Sequence, residues 1–315
     1  MRQLLKPDVE LLSGPGCPVC VTPAADIAKV LWLAERGITI ATFGDMMKVP
    51  VDGRSLFHLK AKGSDVRIVY SPIEAVDIAE SLADGEVVFV GVGFETTAPA
   101  IAGAIVDAKD RKLKNFSVFA SMKTIPTPLD IICRSPQIGV DGFILPGHVS
   151  AIIGSKPYRF IAEKYDKPGV ITGFEPEDIV DGIFRLAKMI SNGTAGIEVS
   201  YSRVVRPNGN AAAKRLMEEI FEPCDSEWRG LGILQNSGLK IREEYSDFDA
   251  DYRFKIPEFP DAKDNPACQC DKVILGLLKP NQCPLFGTEC IPTNPQGPCM
   301  ISSEGACAAY YKYGE

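Results

Sequence analysis

The stretch Glu86–Ala100, EVVFVGVGFETTAPA, decides how this chain of 315 residues is read. Its first half is a near-continuous apolar run of Val and Phe with no polar alternation, the pattern of a strand buried on both faces of a sheet. Its second half turns polar at Glu95, Thr96 and Thr97 and then becomes helical. Strand, polar loop and helix in that order form the repeating unit of a parallel α/β sheet.

Outward from this unit the same plan recurs. Residues 23–37, PAADIAKVLWLAERG, carry apolar residues at helical spacing and stop at Gly37. Residues 38–45 and 66–72 read as strands, 73–85 as a helix, and VELLS (9–13) as a first strand. Downstream, 116–128, 140–154 and 168–179 again run from strand into loop and helix. The expected fold class is therefore α/β. Two similar parallel-sheet domains, 1–82 and 83–192, precede a C-terminal domain, 193–315. Beyond 192 a short strand and a helix at 211–221 follow, and from Asp247 onward regular periodicity fades and Pro, Gly and Cys dominate. A segment with so little apolar pattern needs another source of stability, and a bound metal centre supplies one.

The strands end in GPGCPVC, TFGDMMKVP, GVGFETTAP, SMKTIPTP, LPGHVS and GFEPEDI. In open parallel sheets ligands bind beyond the carboxyl ends of the strands, so these loops are expected to share a cleft. GVGFET is not the dinucleotide fingerprint, and no G-x-S-x-G elbow accompanies His148, which argues against a nucleotide site and a hydrolase triad.

Hydrophobic residues make up 45% and charged residues 24% of the chain, as in ordinary globular proteins. A net charge of −7 argues against nucleic acid as a partner, because phosphate recognition needs clustered Lys and Arg. No apolar run approaches the roughly 18 residues of a membrane span, and the first residues lack a secretory apolar core. The expectation is a cytoplasmic protein.

Ten cysteines are unevenly placed. Cys17 and Cys20 form a CxxC, which by spacing alone is a metal clamp, a redox dithiol or a disulfide. Thr22 and Pro23 read as the N-cap and first position of the following helix, and a thiol near a helix N-terminus is acidified. Cys268, Cys270, Cys283, Cys290, Cys299 and Cys307 crowd the tail. From Cys268 the intervals to Cys283, Cys290 and Cys307 hold 14, 6 and 16 residues; from Cys270 the first holds 12. Four thiolates among Gly and Pro suit an iron–sulfur cluster, with a four-cysteine zinc site as the alternative. Cys133 and Cys224 read as small buried hydrophobes.

GPGCPVCVTP, TFGDMMKVP, GFETTAP, LPGHVSAIIG, GFEPEDI and GPCMISSEGACAAYYKY, in that order, resemble the HypD family of hydrogenase maturation factors from residue 9 to the end. The resemblance implies two α/β domains and a [4Fe–4S] domain. The cluster ligands would be Cys268 (or Cys270), Cys283, Cys290 and Cys307, with Cys299 structural. It implies assembly of the Fe(CN)2CO centre of [NiFe] hydrogenase. In that role the family works with a HypC-like chaperone, a HypE-like cyanide donor and, indirectly, the hydrogenase large subunit. The cargo iron, carrying cyanide and carbon monoxide, would sit on Cys17 and Cys20. Glu95, Thr96, Thr97 and His148 would bind cyanide nitrogens, relay a proton or orient a cysteine. Asp45 and Glu175 are weaker candidates, Met46 and Met47 packing residues, and His58 a surface residue. The family's further cysteine motif upstream of the CxxC has no counterpart here, so the resemblance also implies a missing N-terminal segment. A second reading, from another class, is a cluster-fed thiol–disulfide reductase acting on a protein.

Overall fold

The computed structural model describes residues 5, 8–82 and 84–314. Its strands are β1 (Thr39–Thr42), β2 (Val66–Ile68), β3 (Val87–Gly93), β4 (Phe116–Lys123), β5 (Phe143–Pro146), β6 (Gly169–Thr172), β7 (Ile197–Val199), β8 (Phe221–Trp228) and β9 (Gly232–Ile241). Six of them form one sheet in the order β2-β1-β3-β4-β9-β8, and three form a second in the order β5-β6-β7. β1 to β4 pair in parallel, as do β5 to β7. The expected parallel α/β class holds.

The opening stretch sits at the centre. All seven residues of β3 are buried, and successive side chains serve opposite layers. Val87 and Phe89 pack with Phe116 and Val118 on one face; Val88 and Val90 pack with Phe119 on the other. The helices covering these faces are α1 (Pro18–Val21), α2 (Ala24–Ala34), α3 (Leu56–Ala61), α4 (Pro72–Ser81) and α5 (Ala98–Asp110). Ala75, Val76 and Ala79 of α4 join Ile101 and Ile105 of α5 on the first face, while Ile27, Val30 and Leu31 of α2 cover the second. The second sheet is flanked by α6 (Pro126–Arg134), α7 (Gly147–Ile153), α8 (Arg159–Tyr165) and α9 (Pro176–Ser191). Then come α10 (Ala211–Ile220), α11 (Ala250–Phe254), α12 (Cys270–Ile274) and α13 (Ala306–Tyr313).

Three features depart from the sequence expectations. Residues 9–13 form no strand; they run irregularly into the CxxC turn. The sheets do not divide at residue 82, because the most apolar strand, β3, takes a parallel neighbour on each side, β1 and β4. The expected short strand beyond 192 is present as β7 and completes the second sheet, but the β8–β9 hairpin was not anticipated: it extends the first sheet through antiparallel pairing of β9 with β4. The cysteine-rich part is built mainly of short turns. Among the described residues no helix is long and apolar enough to cross a membrane.

Candidate functional site

Cys17 and Cys20 are both buried and joined as a disulfide. Cys17 is the N-cap of α1, and its Sγ accepts the Cys20 N–H at 3.2 Å. The expected cap of α2 lies elsewhere: Pro23 is its N-cap residue, whereas Thr22 closes α1, its Oγ1 donating to the Pro18 carbonyl at 2.8 Å. The cause is that Pro18 starts a separate helical turn at the CxxC, so Thr22 is used at the end of one helix rather than the start of the next. α1 packs against β3, α12 and the turn at Pro298–Met300, which places the pair between the large sheet and the cysteine-rich tail.

The six tail cysteines line one small cavity, together with Phe286, Gly297 and Met300. Cys299, read as a structural residue, is among them and almost fully buried. Among the described residues no three His, Cys, Asp or Glu side chains stand close enough to hold one metal ion. A polynuclear cluster takes its thiolates on separate irons, so they stand wider apart than around a single ion. The donor set fits such a group: soft sulfurs line the cavity without a charged side chain. Cys290 Sγ accepts the Gln296 N–H at 3.4 Å. A Cβ at Gly297 would come within 2.5 Å of Cys268 Sγ, so a side chain there would displace that sulfur. Hydrogen bonding from Cys268, then Cys299, holds the Cys270 thiol well below its ordinary range, and the same contacts push those two up.

Beyond β3, Phe94 stacks on Trp228 of the hairpin at 6.1 Å between ring centres. Glu95 is only 3% exposed, and its carboxylate accepts the Ile125 N–H at 3.0 and 3.3 Å. Burial, only partly offset by hydrogen bonds from backbone N–H groups, pushes its pKa up to about 7. Thr96 is exposed, and Thr97 begins α5 without a side-chain cap bond. A Cβ at Gly93 would meet Thr97 Cβ at 2.5 Å, so a side chain at 93 would force this turn to shift. Glu95 lies within electrostatic reach of the fully buried Tyr158, whose hydroxyl is 3.4 Å from Ser150 Oγ on α7. A polar thread thus joins the end of β3 to the helix that carries His148.

His148 is exposed, its ring 4.4 Å from that of Phe174 and 6.4 Å from that of Tyr201. It acts electrostatically on Glu304, as does Asp45 after β1. Desolvation first, then Asp45, raises the Glu304 carboxyl above its ordinary value, and His148 opposes the rise. Strand-end loops of both sheets and the SSEGAC turn therefore converge. Glu175, at the N-cap of α9, is exposed and makes no cap bond.

Sequence reasoning missed Tyr158, Glu304, Lys123 and Arg229. Lys123, at the end of β4, is buried and lies 3.7 Å from Asp26 of α2 and 2.7 Å from Ser226 Oγ. Arg229, in the hairpin turn, reaches the carbonyl of Thr22. A charged residue inside an apolar strand end was the available signal for Lys123; the others depend on distant contacts.

A family model for HypD, described as "Hydrogenase formation hypA family", matches residues 1–314. The chain is 46% identical to the hydrogenase maturation factor HypD2 of Bradyrhizobium diazoefficiens, covering 100% of this chain and 85% of that protein. It is 45% identical to the hydrogenase maturation factor HypD of Rhizobium leguminosarum bv. viciae, covering 100% and 84% respectively. It is 44% identical to the protein of the same name from Cupriavidus necator, covering 100% and 85%.

Proposed function

Because this chain belongs to the HypD family of hydrogenase formation proteins, we propose that it is a scaffold and redox protein for assembling the Fe(CN)2CO centre of [NiFe] hydrogenase. The observation that carries the reading is the buried Cys17–Cys20 pair, wedged between the end of β3 and a cavity lined by six cysteines.

In its dithiol form the pair offers two soft sulfurs to the cargo iron. The Cys20 N–H directed at Cys17 Sγ favours negative charge on that sulfur, hence the thiolate an iron ion needs. Glu95, close to half-protonated near pH 7, is suited to give or take a proton as ligands change. Thr96 presents an exposed hydroxyl, and His148, Asp45 and Glu304 set the charge where the loops converge. Cys283, Cys290, Cys307 and one of Cys268 and Cys270 would hold a [4Fe–4S] cluster, with Cys299 beside them. Such a cluster supplies single electrons. A HypC-like chaperone would share the iron, a HypE-like donor would supply cyanide, and the hydrogenase large subunit would receive the product.

The test is complementation in cells that lack their own factor. Cys17→Ala and Cys20→Ala should each abolish hydrogenase maturation, and normal maturation with either would refute the assignment. Infrared bands of iron-bound cyanide and carbon monoxide on the complex with the chaperone should appear for the scaffold. A pure thiol–disulfide reductase would show none.

A further inference from the structure

We infer that Phe286, braced by Tyr310 and Tyr311, is the cover of the cysteine cavity, a positioning residue that keeps water and small solutes from the group held there; that the group is an iron–sulfur cluster rests on the reading given above. Among the described residues lining the cavity, all are buried but Phe286 and Cys268, which are half-buried. Cys268 is a candidate ligand. Phe286 has no donor atom to offer, and it is the one aromatic side chain in that lining.

The backbone sets the ring in place. Phe286 lies in the loop between Cys283 and Cys290, and its N–H donates to the Cys283 carbonyl at 3.0 Å. On either side of it, the Cys290 N–H donates to the Leu285 carbonyl at 2.8 Å and the Gly287 N–H to the Cys290 carbonyl at 3.1 Å. The loop thus closes on the two cysteines and leaves the ring against their cavity.

The last helix holds the ring from outside. Tyr310 and Tyr311 follow Cys307 on α13 by three and four positions, which places all three on one face. Both tyrosine rings stand 5.9 Å from Phe286, at 80° and 66°, the edge-on arrangement aromatic rings prefer. Tyr311 is 44% exposed, so this cluster of rings runs from the cavity wall to the surface. Solvent access is one of the properties that set the stability and potential of an iron–sulfur group.

The experiment uses the whole chain purified without oxygen. Iron release to excess EDTA is followed as loss of the cluster's absorption. Phe286→Ala should release iron faster than wild type by on the order of tenfold. Phe286→Tyr, which keeps the ring, should release it at the wild-type rate. Tyr311→Ala removes one brace at a partly exposed position and should fall between. The iron-free chains are then alkylated with iodoacetamide and read by peptide mass. In Phe286→Ala, Cys283 and Cys290 should react faster than in wild type, while the buried Cys133, outside the cavity, should not change. General loosening would speed all three and would overturn the inference, as would release and alkylation equal to wild type. Should Phe286→Ala not fold or hold no iron, Tyr311→Ala decides: faster release upholds the cover and an unchanged rate refutes it. A wild type that holds no iron overturns the iron–sulfur reading instead, and the alkylation pattern alone then decides whether Phe286 covers the cavity.

Discussion

Glu95 shows how the chemistry of one residue is set by its surroundings. A carboxyl group with an ordinary pKa of 4.5 is held at about 7 because it is buried, with backbone N–H groups as its hydrogen-bond donors. The linkage has a definite sign. Since the folded-state value lies above the unfolded one, the stabilising contribution is complete below about pH 4.5 and is lost as pH rises through 7. The loss is at most about 3 kcal/mol. Glu95→Gln keeps an oxygen for Ile125 and removes the titration. Urea midpoints of the variant and wild type should therefore diverge in favour of Gln between pH 5 and pH 8; parallel curves would contradict the buried, proton-carrying role. At this scale the sequence was informative where chemistry is local. A CxxC, a lone His after a strand and a Glu in a glycine-rich loop identify themselves. Arg229 does not, because its partner Thr22 is 207 positions away and only the tertiary fold brings the two together.

At the level of elements, close approach decides the details. The β3-to-α5 turn brings Thr97 against Gly93, so Gly93→Ala should cost about 1–3 kcal/mol of stability by overpacking. Adding Thr97→Gly removes the colliding atoms and should recover part of that loss in a denaturation series. At the other end of the chain, Gly297→Ala places a methyl group against Cys268 Sγ. Its iron content after anaerobic purification should fall while its circular dichroism stays that of wild type; unchanged iron would argue that the cavity is not a ligand cage. The parallel strands were legible from their continuous apolar runs. The β8–β9 hairpin was not: Glu222, Pro223, Asp225 and Glu227 hide a strand whose ends, Phe221 and Trp228, are buried while much of its middle is open to solvent. The expected strand at 9–13 failed for the converse reason. Its apolar residues cover neighbouring elements, including Gly276 beyond α12, without pairing in a sheet.

Taken as a whole, the molecule joins three parts around the end of β3, where α1 packs. The large sheet supplies the end of β3, the smaller sheet is linked through Glu95, Tyr158 and Ser150, and the cysteine-rich tail packs on the remaining side. That junction gives a reason for the odd composition: the tail is built mainly of short turns, and its cysteines line a common cavity. The sequence showed that the cysteines belong to one segment, and could not show that this segment sits against the CxxC. Iron and acid-labile sulfide, counted on the anaerobically purified chain, test the account most directly. The account predicts a brown protein with about four irons and matching sulfide per chain. A colourless protein without iron, or one holding zinc, would contradict it.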